Sequence, residues 1–135
     1  MPHLVILYTP NLERETDMSA LCRALADTML GVKDELGQQV FPTGGVRVLA
    51  YPAAHSAIAD GRNDYAFAYF HLRMGRGRSE LVKKQAGEAL SATVGKHFAS
   101  LLKQRYVGLT LQIDEGQEVF DSKQSSIHPL FSKAP

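Results

Sequence analysis

A single cysteine, Cys22, excludes an internal disulfide and fits a reducing compartment. Its place inside a helical apolar pattern reads as a small core residue rather than a nucleophile. Charge of one sign is also missing. The formal net charge is +1, which supplies no pull toward nucleic acid or an anionic membrane as an obligate partner. No stretch approaches the ~20 apolar residues of a membrane helix, and the start of the chain lacks the charged region and small-residue cleavage site of a secretory signal. A soluble, cytoplasmic protein is expected. The histidines (His3, His55, His71, His97 and His128) show no metal-ligand spacing. There is no G-x-S-x-G elbow and no dinucleotide fingerprint; Gly75-Arg76-Gly77-Arg78-Ser79 has the wrong spacing for a cofactor cradle.

The 135 residues, 44% hydrophobic and 21% charged, suit one domain with a sizeable core. Residues 3–8 form a continuous apolar run, as in a strand covered on both faces. Thr9-Pro10-Asn11 breaks it. Met18, Leu21, Leu25, Met29, Val32 and Leu36 fall three and four apart, which predicts an amphipathic helix over 12–36 with Gly37 as its C-cap. A turn at 41–45 leads to a second strand, 46–51. After a loop (52–63) the pattern starts again. A strand is expected at 65–74, a helix at 79–105 with Ser79 as N-cap, and a strand at 106–113. An irregular tail, 114–135, ends the chain.

The pattern is strand–helix–strand written twice, the copies about 62 residues apart. The expected fold is α/β: a single domain, 1–135, whose units 1–51 and 65–113 form a four-stranded sheet with two helices on one face. The other face would be bare apolar surface, a hazard that partner subunits cover, so an oligomer is expected.

Pro2 stands directly ahead of the first strand. If Met1 is removed, Pro2 carries a secondary amine fixed in a ring and anchored to the core, able to shed its proton. The plainer reading is a proline that merely starts a strand, where its missing N–H costs little. Arg47 follows a glycine turn into the second strand. Arg78 sits with Ser79 at the start of the second helix, where free N–H groups and the helix dipole favour an anion. An arginine adds a planar fork that matches a carboxylate. Arg73, Arg76 and Arg78 read equally as a solvated basic cluster.

Several stretches together bring a family into view: Met1-Pro2-His3, Phe41-Pro42-x-x-Gly45-Val46-Arg47, Asp64-Tyr65-Ala66-Phe67 and Gly75-x-Gly77-Arg78-Ser79. Further on stand Gln85-Ala86-Gly87-Glu88, His97-Phe98-Ala99 and Lys123-Gln124-x-x-Ile127-His128-x-Leu130-Phe131. With these the chain resembles the 5-carboxymethyl-2-hydroxymuconate delta-isomerase family of the tautomerase superfamily. The resemblance implies a homotrimer of double β-α-β subunits that needs neither metal nor cofactor. It implies Pro2 as proton shuttle, with Arg47 and Arg78 as catalytic partners and Arg47, Arg78 and Ser79 binding a small carboxylate substrate. The implied reaction belongs to homoprotocatechuate degradation and converts an enol polycarboxylate to its conjugated keto isomer. Such a base works best with a pKa near the working pH. An α-amine titrates near ~8, and burial beside arginines lowers it. Two alternatives stay open: a related tautomerase acting on a smaller enol acid, and a non-catalytic trimeric binding protein of the same fold.

Overall fold

The computed structural model describes residues 2–131. Met1, whose removal would free the Pro2 nitrogen, and the last four residues of the tail lie outside the described residues.

Strand β1 (His3–Tyr8) occupies the expected range. The first helix is shorter than its apolar stripe. Leu12 belongs to a separate single turn, Pro10–Leu12, and α1 runs Met18–Leu30. Asp17 fixes the start, its carboxylate accepting from the Ala20 amide at 2.9 Å. Gly31, not Gly37, caps the other end. Beyond it the chain doubles back, with the Val40 amide donating to the Val32 carbonyl at 3.0 Å. The Asp34 carboxylate accepts from the Leu36 and Gln38 amides, each at 2.9 Å. Gly37 serves this reversal, with a φ of +74° that a side chain would resist. Leu36 continued the helical spacing only by coincidence and is 82% exposed.

Strands β2 (Arg47–Pro52) and β3 (Ala66–Met74) follow. Helix α2 (Glu80–His97) begins at Ser79, whose hydroxyl accepts from the Val82 amide at 3.2 Å. The single long helix expected there is interrupted at Phe98, which leaves helical geometry with its ring fully buried; α3 (Ala99–Gln104) resumes after it. Strand β4 (Val107–Glu115) extends two residues further than its apolar alternation.

The sheet order is β2-β1-β3-β4. β1 pairs parallel with β2, β3 parallel with β4, and the two units meet antiparallel at β1 and β3. The twice-written strand–helix–strand thus becomes two parallel pairs joined at their first strands. Leu4 and Ile6 from β1, with Ala68, Phe70 and Leu72 from β3, are fully buried against Leu21, Leu25 and Met29 of α1 and Ala86 and Leu90 of α2. Each large side chain so placed contributes roughly 1.5–3 kcal/mol relative to exposure, so this one layer dominates the fold's stability. At the end of β1 the buried Tyr8 hydroxyl donates to the Glu13 carboxylate. Burial first, then that bond, pushes the phenol up to about 12.

The opposite face departs from the expected bare apolar surface. Over β1 and β2 it carries half-exposed Leu7, Leu49 and Tyr51. Over β3 and β4 it is polar: Tyr69 donates to Gln112 at 2.8 Å, and His71 pairs with Asp114 at 2.6 Å. The alternation of β3 places these polar residues opposite its buried ones.

His97, the last residue of α2, is half-buried against Phe98 and within 2.6 Å of the Thr16 hydroxyl. Burial holds its pKa below the ordinary 6.5. The unfolded chain therefore binds this proton more readily than the folded one, and His97 subtracts stability as pH falls below about 6.5. Thermal melts between pH 7.5 and pH 5.5 should show a shallower loss of Tm in His97→Gln than in the parent chain; equal slopes would remove His97 from the acid response.

Candidate active site

Strand register decides what flanks His3, the residue after the proline. Pro2 is buried, and the next residue, His3, pairs with Arg47 on one side and Arg73 on the other. Residues opposed in register share a sheet face. Arg47, His3 and Arg73 therefore form a basic row across three strands, at the Pro2 end of the face away from the helices. Above them lies a cleft of about 280 Å³, lined also by Met74 and Gly75.

The tail forms the remaining wall. The Gly116 amide donates to the Met74 carbonyl at 2.8 Å, and Arg76 Nε donates to the Gly116 carbonyl at 2.8 Å. Residues 117–127 then run without regular structure, bringing Glu118, Asp121, Ser122, Lys123, Gln124 and Ser125 to the cleft. A last turn, His128–Phe131, seats against the turn Thr43–Gly45 that leads into β2. That seat requires a glycine: a Cβ on Gly44 would stand 2.6 Å from the His128 Cα.

Charge in the cleft is mixed. Arg73 pairs with Glu118 at 3.4 Å, and Lys123 with Asp121. Glu118's own amide, and after it Arg73, hold the Glu118 carboxyl below its ordinary range. The hydrogen bond from Lys123 does the same for Asp121. Burial first, then Arg47 and Arg73, lowers the His3 pKa, so His3 faces the cleft as a neutral imidazole near pH 7.

Of the residues singled out from sequence, Arg47 lines this cleft, in register with His3, and Pro2 lies buried one residue before that histidine. Arg47 donates to the Gly45 carbonyl at 3.3 Å and lines the cleft. Arg78 lies behind its wall. Its guanidinium donates to the Gly75 carbonyl at 3.0 Å and the Val40 carbonyl at 3.2 Å, and stacks over Phe41. Within one chain it opens onto a second groove, shared with Glu35 and Ser79. Ser79 caps α2 there and donates to Glu35 at 2.8 Å. The apparent basic cluster of Arg73, Arg76 and Arg78 is dispersed over three jobs: a cleft wall, a clamp on the tail and the second groove. The alternation of β3 was the signal that could have set Arg73 apart; the tail's part had no periodic signal. Cys22 is partly buried against the core and its thiol is pushed up by that burial, as a packing residue's would be.

Among the described residues no group of three or more His, Cys, Asp or Glu side chains is placed to hold a metal ion, and no helix is long and apolar enough to cross a membrane. The seat at Gly44 yields a test of the tail. Gly44→Ala should lift the final turn and expose 116–131 to protease several-fold faster, with little change in Tm; unchanged cleavage would mean that the tail is held elsewhere.

The family model for 5-carboxymethyl-2-hydroxymuconate isomerase matches residues 2–131. The chain is 31% identical to the 5-carboxymethyl-2-hydroxymuconate Delta-isomerase of Escherichia coli, over 97% of this chain and 99% of that one. A crystal structure of a 5-carboxymethyl-2-hydroxymuconate delta-isomerase is 58% identical, with a TM-score of 0.95, covering 100% of this chain and 95% of the other. That of a 5-carboxymethyl-2-hydroxymuconate isomerase from Deinococcus radiodurans R1 is 37% identical, with a TM-score of 0.87 and coverage of 98% and 95%. In fold alone the likeness extends to a fused 4-OT symmetric trimer, 15% identical, with a TM-score of 0.50 and coverage of 84% and 87%. The chain belongs to the 5-carboxymethyl-2-hydroxymuconate isomerase family and is, as a member of it, an isomerase.

Proposed function

We propose that the chain isomerises 5-carboxymethyl-2-hydroxymuconate, or a close enol polycarboxylate, with Pro2 as general base and acid once Met1 is removed. The observation that carries this reading is a buried Pro2 directly ahead of His3, with Arg47 and Arg73 paired in register on either side of that histidine. The proline nitrogen takes the proton from the enol hydroxyl. The resulting dienolate spreads negative charge along the conjugated chain, and the same nitrogen returns the proton to a carbon further along. The keto isomer forms with no atom gained or lost.

Burial disfavours the charged form of an amine, which favours Pro2 as a base. Arg47 binds a substrate carboxylate and stabilises the dienolate as charge reaches oxygen. Arg78 acts from the second groove, its guanidinium bracing the Gly75 carbonyl at the cleft's edge; Ser79, next to it, caps the helix that follows. Half-exposed Leu7, Leu49 and Tyr51 support a homotrimer built on the open sheet face, the assembly of the fused 4-OT of the same fold. The lone Cys22 fits the reducing cytoplasm.

Pro2→Ala should lower kcat by roughly 10²–10⁴-fold, the scale of positioned acid–base catalysis, and Arg47→Ala should raise KM as well as lower kcat. Ultraviolet assays of the enol acid check both, beside intact-mass measurement of the terminus. Parental kinetics in Pro2→Ala, or full activity with Met1 still attached, would sink the proline mechanism. Preference for a monocarboxylic enol acid across a substrate panel would replace the substrate but keep the chemistry.

A further inference from the structure

One basic residue of the cleft has no part in the reaction above. Arg73 lies on the far side of His3 from Arg47, on the same sheet face and in register with the same residue. Strands on either side of a central one are about 10 Å apart, a gap that two flexible arginine side chains close onto the ends of one short polycarboxylate. His3 stands between them. Its proton is already disfavoured by burial and by both arginines, so it supplies a neutral hydrogen-bonding group and not a third charge.

Arg73 is also the residue that the tail engages. Glu118 approaches its guanidinium at 3.4 Å, with both side chains about half exposed. A single-point contact of that length and exposure is weak and screened by salt. A substrate carboxylate meeting the guanidinium fork with two short hydrogen bonds is the stronger partner. Glu118 rises from the stretch just after Gly116, whose backbone is clamped by Met74 and Arg76, so the carboxylate can swing away without releasing the tail's anchor.

We propose that Arg73 is a specificity-determining residue of this cleft, a second carboxylate seat beside Arg47, and that Glu118 occupies the seat until a polycarboxylate displaces it. The proposal rests on the reading of the cleft as the enol-polycarboxylate site and adds which side chain counts the carboxylates. A substrate carrying one more carboxylate gains at Arg73; one lacking it leaves the Arg73–Glu118 pair intact and gains nothing there.

Calorimetric titration of the processed protein with tricarballylate and with glutarate tests this, since neither probe has an enol to turn over. At low salt the parent chain should bind tricarballylate more tightly than glutarate. Arg73→Gln should weaken tricarballylate by about tenfold or more, the scale of a lost charged hydrogen bond, and bring the two probes together. Arg73→Lys should restore part of the difference. Glu118→Gln should tighten tricarballylate several-fold by removing the competitor. Equal preference in the parent and Arg73→Gln chains, no binding of either probe by the parent, or weaker binding in Glu118→Gln would each overturn the proposal. Pro2→Ala separates the two readings. It should bind both probes as the parent does while losing turnover; retained turnover would defeat the proline mechanism and leave the carboxylate seat standing.

Discussion

Everything at the Pro2 end depends on β1 being hydrogen-bonded on both sides. It is the one strand shared between a parallel ladder with β2 and the antiparallel ladder that joins the two β-α-β units. A central strand cannot slip by one residue without turning Leu4, Ile6 and Tyr8 out of the core. That constraint fixes His3, and the buried residue before it, to a fraction of a residue's length. The proposed mechanism needs that closeness, since its base takes a proton from one atom and returns it to another. The ladder begins at His3, so the strand that follows Pro2 sets where that buried residue lies.

The same register sets the electrostatics. Two arginines at one end of a sheet face would repel one another and attract any passing anion. The protein balances them from its own tail, where Glu118 and Asp121 come into the cleft alongside Lys123. These are exposed pairs of low individual strength. They offset part of the positive charge of Arg47, Arg73 and Lys123 in the cleft. The strong attachments of the tail are elsewhere: backbone bonds at Gly116 and the steric seat of His128 on Gly44. Firm ends and a weakly held middle are what a wall of a binding cleft needs.

The helices contribute by position. α1 and α2 cover one sheet face, and the start of α2 brings Arg78 behind the Gly75 wall through the loop 75–78. Gly75 borders both grooves: it lines the cleft, and its carbonyl accepts from Arg78 on the other side. The exposed apolar patch of Leu7, Leu49 and Tyr51 lies on the same face as the basic row. The cleft and the apolar patch therefore share one side of the sheet, while the core occupies the other.

Local chemistry made much of this legible. The run 3–8, the Ser79 cap and the twice-written strand–helix–strand order depend on interactions within a few residues, and they stand in the structure as read. Where the reading overshot, a periodic pattern outlasted its helix: Leu36 kept the spacing of α1 after Asp34 and Gly37 had already reversed the chain, and Phe98 broke a continuous stripe because its ring was needed in the core. Pro2 and Arg47 could be singled out because each sits at a punctuated position, a chain start and a glycine turn. Arg73 could not be told from Arg76 and Arg78, three cations within six residues. The sequence by itself determined the elements, their order and the family, since those are encoded in spacing and in short motifs. Only the tertiary structure decided which cations flank His3 and that the tail walls the cleft, because pairing across strands and the path of an aperiodic segment are set by contacts between residues far apart in the chain.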